Sequence, residues 1–162
     1  ARILEVASTL TGVKYAEDTF IIATSGRHEY RNKGLDMYLD ATENLRCQLS
    51  ALKDSQRRIL SLILVPAWSS GPRQDLMSNL AEGIHQRLQD PYLTHWLNND
   101  DSDEVTVGLR RLGVTNASED RLHTIYVPCY LTGEDGIFDI DYYTMLTALD
   151  ATVFPSLSLI HI

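Results

Sequence analysis

Two cations stand six positions apart in a short polar segment that begins and ends with glycine. The segment reads Gly26-Arg27-His28-Glu29-Tyr30-Arg31-Asn32-Lys33-Gly34. The guanidinium of Arg27 can donate paired hydrogen bonds to phosphate oxygens, and the ammonium of Lys33 adds a compact positive charge. Glycine lets the backbone approach a ligand closely. The pattern indicates an anion-binding site, and a solvated basic loop is the alternative that composition leaves open.

The elements on either side place this segment at the edge of a sheet. Residues 19–24 form a continuous hydrophobic run, which predicts a parallel strand covered on both faces. Leucines recur after Gly34 at positions 35, 39, 45, 49 and 52, which predicts an amphipathic helix whose leucines all lie in the core. A strand, a polar turn and a helix are how an α/β domain presents ligand-binding groups.

The rest of the chain repeats this alternation. Residues 59–65, 122–128 and 151–154 predict three further strands, each ending at or just before a proline. Helical patterns cover residues 1–10, the stretch from Pro72 to Leu88, and a segment capped by Asp139 or Asp141. We therefore predict an α/β fold, a Rossmann-like parallel sheet flanked by helices. Its ligand edge is formed by residues 26–33, 66–68, 128–136 and 155–156.

Residues 92–120 are the part of the chain with the weakest pattern. The acidic run 98–104 predicts a solvated loop. Residues 105–112 fit either a strand or a short helix. Asp135, Asp139 and Asp141 could pair as acid and base, although a solvated loop and a helix cap explain them better.

Composition limits the classes of function. The 162 residues are 44% hydrophobic and carry a net charge of −8, which suits one globular domain and disfavours nucleic acid and anionic membranes as partners. No apolar run approaches the roughly 18 residues that span a membrane. Cys47 and Cys129 show no metal-ligand spacing, so we expect reduced core thiols, no metal and a cytoplasmic location. The first residues lack an initiator Met and a signal-peptide pattern, so we expect a piece of a longer chain.

Segment 26–34 and the Leu35-Asp36 that follows resemble the motif G-R-Y-E-x-x-N-K-G-x-D of the glycogen synthase family. Residues 142–143 and the sequence Asp-Ala-Thr-Val-Phe-Pro-Ser at 150–156 resemble the approach to that family's S-Y-Y-E-P-W-G motif. The resemblance covers about residues 1–156. Family members are retaining glucosyltransferases of the two-domain GT-B fold, which extend an α-1,4-glucan in glycogen biosynthesis. The resemblance implies that residues 1–156 form part of the C-terminal, nucleotide-sugar-binding domain.

The same resemblance assigns roles to individual residues. Gly26, Arg27 and Lys33 match the donor-binding segment, and the two cations would stabilise the departing diphosphate as catalytic groups. Tyr142 matches a tyrosine that stacks on the nucleobase, and a core aromatic on an amphipathic helix is the alternative. The donor would be UDP-glucose or ADP-glucose, used as a substrate without a cofactor or metal.

The neighbours of these cations have lesser expected roles. Arg31 stands at a variable family position, so we expect it at the periphery of the site. His28 replaces the family's usual tyrosine and is expected to support its neighbours. Glu29 is expected to orient Arg27 or Asn32, and Asn32 could cap the following helix.

Three further expectations concern the ends of the chain and its partners. Residues 157–162 read Leu-Ser-Leu-Ile-His-Ile, depart from the family motif and match a translated sequencing adapter, so we expect an artefact tail that leaves His161 outside any site. The glucan acceptor would be bound by an N-terminal domain that this chain lacks, so the piece alone should be inactive; homo-oligomerisation stays open. Two alternatives remain: another GT-B glycosyltransferase of the sucrose or trehalose type, or a non-catalytic nucleotide-sugar-binding module.

Overall fold

The computed structural model describes residues 1–52 and 56–156, and the tail expected at 157–162 lies outside the described residues. The helices are α1 (Arg2–Thr11), α2 (Leu35–Ser50), α3 (Gln74–Glu82), α4 (Glu104–Arg111) and α5 (Tyr142–Thr147). The strands are β1 (Phe20–Ser25), β2 (Ile59–Leu64), β3 (Ser69–Pro72), β4 (His95–Leu97), β5 (Leu122–Val127) and β6 (Ala151–Thr152).

Four strands form one sheet in the order β5-β2-β1-β6, and every pairing in it is parallel. Helices separate these strands along the chain, as parallel connections require. The predicted α/β fold with a Rossmann-like parallel sheet is therefore confirmed. A second, antiparallel pair, β3 with β4, was not predicted from the sequence.

Helices cover both faces of the sheet. Side chains alternate between the two faces along each strand, so neighbouring residues belong to two different cores. Leu62 and Ile125 pack in a core that also contains residues of α1 and α3. Ile63 and Tyr126 pack in the second core, together with residues of α2 and α4. No helix among the described residues is long and apolar enough to cross a membrane.

Several predicted details are wrong at the ends of helices. The helix expected from Pro72 to Leu88 spans only Gln74–Glu82, because Gly83 adopts φ 68° and closes it, while Pro72 belongs to β3. Leu52 lies beyond the end of α2 and is exposed. Cys47 is also exposed, because it lies on the solvent face of α2, so it is no core thiol.

The ambiguous segment at 105–112 is helical. Its helix, α4, begins after Asp103, whose carboxylate accepts a hydrogen bond from the backbone N–H of Thr106 at 2.9 Å. Asp103 is buried, which corrects the expectation that the whole acidic run is a solvated loop. The pattern failed here because a helix cap and a solvated acid look alike in sequence.

Candidate functional site

The carboxyl ends of three central strands lie side by side. Ser25 of β1 pairs with Leu64 of β2, which pairs in turn with Val127 of β5. The chain leaves all three strands at the same level, so the loops after them meet at one edge of the sheet. This is the edge at which open α/β sheets bind ligands.

The segment 26–34 forms a compact series of turns after β1. Backbone hydrogen bonds run from Lys33 N–H to the carbonyl of Glu29 at 2.8 Å and from Leu35 N–H to the carbonyl of Tyr30 at 2.8 Å. Gly34 caps α2 with φ 67°, and a Cβ at this position would overlap the carbonyl oxygen of Pro155. The segment is therefore held against the chain that follows β6.

Arg27 and Lys33 line the same cavity, which has a volume of about 220 Å³. Ser25 and Gly26 form its wall at the end of β1, and residues 154 and 156 close the opposite side. Ser156 Oγ donates a hydrogen bond to the carbonyl of Asn32 at 3.3 Å, which ties that side to the loop. The two cations, six positions apart, thus face one space.

The charge of Arg27 is available at the surface. Its side chain is 83% exposed, and its Nη1 lies 3.8 Å from Oε1 of Glu29. Such an exposed ion pair contributes about 1 kcal/mol at most, so a ligand anion can compete with it. Glu29 also accepts a hydrogen bond from Asn32 Nδ2 at 2.6 Å, so it contacts both residues it was expected to orient.

A second, larger cavity of about 350 Å³ adjoins the first. Gly26 lines both, and a Cβ added there would project into open space. The larger cavity is lined mostly by apolar and aromatic groups from the end of β2, the loops after β2 and β5, and the first residue of α5. These residues are Leu64, Pro66, Cys129, Tyr130, Leu131, Thr132 and Tyr142.

Tyr142 lies in the wall of the larger cavity. Its side chain is half-buried, and its hydroxyl shares a hydrogen bond with Ser25 Oγ at 2.8 Å. The residue is outside both buried cores, which disfavours the alternative of a core aromatic. The hydrogen bond links Tyr142, the residue predicted to stack on the nucleobase, to strand β1, which leads into the cationic loop.

Sequence reasoning missed Tyr130 as a site residue. This residue is 76% exposed and lines the same cavity as Tyr142. The backbone N–H of Tyr142 donates to the carbonyl of Leu131 at 3.0 Å, which brings the two ends of the loop between β5 and α5 together. The position of Tyr130 two residues after a strand-ending proline was the signal that could have found it.

His28 joins the cationic loop to the N-terminal end of α4. Its Nε2–H donates to Oδ1 of Asp103 at 2.8 Å. This hydrogen bond raises the pKa of His28 above its usual value, although partial burial opposes the change. Burial by itself would raise the pKa of Asp103, but hydrogen bonds from His28 and Thr106 outweigh it and hold that pKa low. Each partner therefore favours the charged form of the other.

The remaining polar candidates lie outside the two cavities. Asp141 caps α5 through the backbone N–H of Thr144 at 3.0 Å, and this hydrogen bond lowers the pKa of Asp141. Arg31 lines a different surface cavity, as expected of a peripheral residue. Asn32 does not cap α2, because Gly34 occupies the cap position without a side-chain hydrogen bond.

The two cavities together suit a ligand with two chemically different parts. One part of the site offers a guanidinium and an ammonium for an anionic group. The adjoining part offers aromatic rings and apolar side chains for a planar group. The arrangement can therefore hold an anion and a planar ring on either side of Gly26.

Comparisons with known proteins give a consistent result. A family model described as glycogen synthase matches residues 73–158, just over half of the chain. A glycogen [starch] synthase of Dictyostelium discoideum is 24% identical over 189 residues, covering 86% of this chain and 21% of that protein. A glycogen [starch] synthase of Neurospora crassa is 22% identical, and isoform 1 of Saccharomyces cerevisiae is 20% identical, each over 86% of this chain. The chain spans between a fifth and three tenths of the length of these relatives.

Proposed function

Because the chain belongs to the glycogen synthase family, we propose that it is the donor-binding part of a retaining glucosyltransferase. The complete protein transfers glucose from UDP-glucose or ADP-glucose to an α-1,4-glucan. The family match favours this reaction over the sucrose or trehalose alternatives. The glucan is bound by a further domain, as the small share of each relative that this chain covers suggests.

The single observation that carries the proposal is the position of Arg27 and Lys33 in one cavity at the ends of parallel strands. Cleavage of a sugar–diphosphate bond leaves negative charge on the departing nucleoside diphosphate. Cations fixed in advance at that point lower the energy of the transition state, because they need not reorganise during the reaction. Arg27 can contact two phosphate oxygens at once, and Lys33 adds a point charge.

The nucleoside occupies the larger cavity in this proposal. Its volume of about 350 Å³ lies within the range of small-molecule sites. The ring of Tyr142 stacks on the base, and Gly26 leaves room for the backbone to approach the link between base and phosphates. Donor binding and charge stabilisation thus use neighbouring parts of one sheet edge.

Turnover by the full-length protein tests the proposal. We expect Arg27→Ala and Lys33→Ala each to lower kcat by about 10²–10³-fold with the preferred nucleotide-glucose, the usual effect of removing one group that stabilises transition-state charge. Arg31→Ala, a cation in the same loop that faces another cavity, is the matched control and should retain turnover.

Unchanged turnover in both variants would refute the assignment. An intact full-length protein that binds nucleotide-glucose but transfers nothing to glucan would instead favour the non-catalytic module. The two outcomes are separated by measuring donor binding and transfer on the same preparations.

A further inference from the structure

Three side chains that commonly bind metals meet beside the larger cavity. They are His95 of β4, Cys129 after β5, and Asp135 in the loop before α5. Their ligand atoms all lie within 4.8 Å of one another, and His95 Nε2 is 3.8 Å from Asp135 Oδ2. We propose that these residues form a binding site for a divalent cation of borderline softness, with Zn²⁺ the best match. Zinc takes imidazole, thiolate and carboxylate ligands together in a four-coordinate site.

The surroundings of His95 allow its ring to switch from a structural to a ligating role. Nε2 is 3.0 Å from the carbonyl oxygen of Asp135, and Nδ1 is 2.8 Å from Oγ1 of Thr94. Without metal, Nε2–H donates to that carbonyl. With metal, the proton sits on Nδ1 and is donated to Thr94, whose hydroxyl donates to the carbonyl of Tyr126 at 3.3 Å. Such an outer hydrogen bond is what orients most ligating imidazoles.

Asp135 is fixed in a geometry suited to a ligand. Its Oδ2 accepts backbone hydrogen bonds from Ile137 at 3.1 Å and Phe138 at 2.9 Å, and its Oδ1 accepts one from Asp139 at 2.8 Å. A carboxylate has about four acceptor positions, and the one that these three bonds leave for a metal is on Oδ1. The carbonyl oxygen of Asp135 is placed to serve as a fourth ligand.

Charge and access also fit a cation. The carboxylate and a thiolate would neutralise the two positive charges of the metal. The side chains of His95 and Asp135 are only 2% and 1% exposed, while Cys129 is half-buried and lines the open cavity, which gives the ion an entry path.

A metal ion at this position would change the wall of the larger cavity. Cys129 is part of its wall, so an ion bound to its Sγ would lie at that wall. We therefore expect Zn²⁺ to weaken nucleotide binding. This corollary rests on the proposed function, whereas the metal site itself does not.

Cobalt substitution tests the site directly. The full-length protein is titrated with CoCl₂ while the thiolate-to-cobalt charge-transfer absorption is recorded, and the cobalt is then displaced with ZnCl₂. We expect the band in the wild type and in Cys47→Ser, the exposed cysteine that serves as matched control. We expect no band in Cys129→Ser, and about 10–100-fold weaker cobalt binding in Thr94→Val, which removes the outer hydrogen bond.

No band in the wild type, or a band retained in Cys129→Ser, would overturn the proposal. Thr94→Val with wild-type affinity would overturn the role given to His95. Failure of the nucleotide assignment alone would leave the cobalt spectrum unchanged, so the two proposals can fail separately.

Discussion

His28 Nε2 lies 2.8 Å from Oδ1 of Asp103, 75 residues further along the chain. Asp103 also accepts a hydrogen bond from the hydroxyl of Tyr126 at 3.3 Å and caps α4 through Thr106. The loop that carries Arg27 is thereby joined to a buried carboxylate that contacts Tyr126 of the second core. Histidine stands here in place of the tyrosine of the family motif, and an imidazole can take up a positive charge where a phenol cannot.

The His28–Asp103 pair predicts a pH dependence of stability. The folded protein raises the pKa of His28, so the stabilisation is fully present below the unfolded value of about 6.5 and is lost as pH rises through the higher folded value. Glu104 also faces His28 and acts in the same direction. We expect the free energy of unfolding, measured with urea, to fall across that window.

The matched control for this prediction is His28→Gln, which keeps a donor but cannot titrate. Its unfolding free energy should fall less than that of the wild type as pH rises from about 6.5 through the folded value of His28. Equal falls in the two proteins would show that the pair does not contribute. The pKa of Asp103 is lowered, so its own contribution is lost only in acid, well outside this window.

Gly34 predicts a steric requirement in the cationic loop. Gly34→Ala would place a Cβ onto the carbonyl oxygen of Pro155 in a backbone with φ 67°. Gly83→Ala is the matched control, because Gly83 has φ 68° but open space around it. We expect Gly83→Ala to cost about 1 kcal/mol of unfolding free energy and Gly34→Ala clearly more. Similar costs in urea unfolding would mean that the contact with Pro155 is unimportant.

Tyr142 predicts an aromatic contribution to nucleotide affinity. Tyr142→Ala should weaken nucleoside diphosphate binding by about 10–100-fold, since stacking on a base is worth roughly 1–3 kcal/mol. Tyr142→Phe keeps the ring, loses only the bond to Ser25, and should bind within about tenfold of the wild type. Tyr143→Ala, an exposed neighbour on the same helix, serves as control. Calorimetric titration gives all four affinities, and equal values for Tyr142→Ala and the control would contradict the stacking role.

The sheet could be predicted because its strands have a simple signature. Residues 59–65 and 122–128 are mostly apolar runs that end at or just before a proline, and such runs fit strands covered on both faces. The positions of Arg27 and Lys33 followed from the same signature, since a loop after a parallel strand reaches the ligand edge. The local sequence pattern was sufficient to place a residue wherever its position depended on one strand and the loop that follows it.

Contacts between distant segments could not be predicted. β4 has three residues and pairs with β3 across an intervening helix, so neither strand has a periodicity of its own. Asp103 sits in an acidic run, and only the fold shows that His28 and Tyr126 bury it. His95, Cys129 and Asp135 follow no ligand spacing for the same reason: tertiary structure alone brings them together.

The most direct test of the central claim compares the affinity for a nucleoside diphosphate with that for the nucleoside alone. Uridine with UDP, or adenosine with ADP, is titrated into the full-length protein and into an Arg27→Ala/Lys33→Ala double variant. We expect the double variant to lose at least about 100-fold in diphosphate affinity, since each charge-assisted contact is worth roughly 1.5–3 kcal/mol. Nucleoside affinity should stay within about threefold. Diphosphate affinity that is unchanged, or that falls together with nucleoside affinity, would contradict the claim that these two cations hold the phosphates.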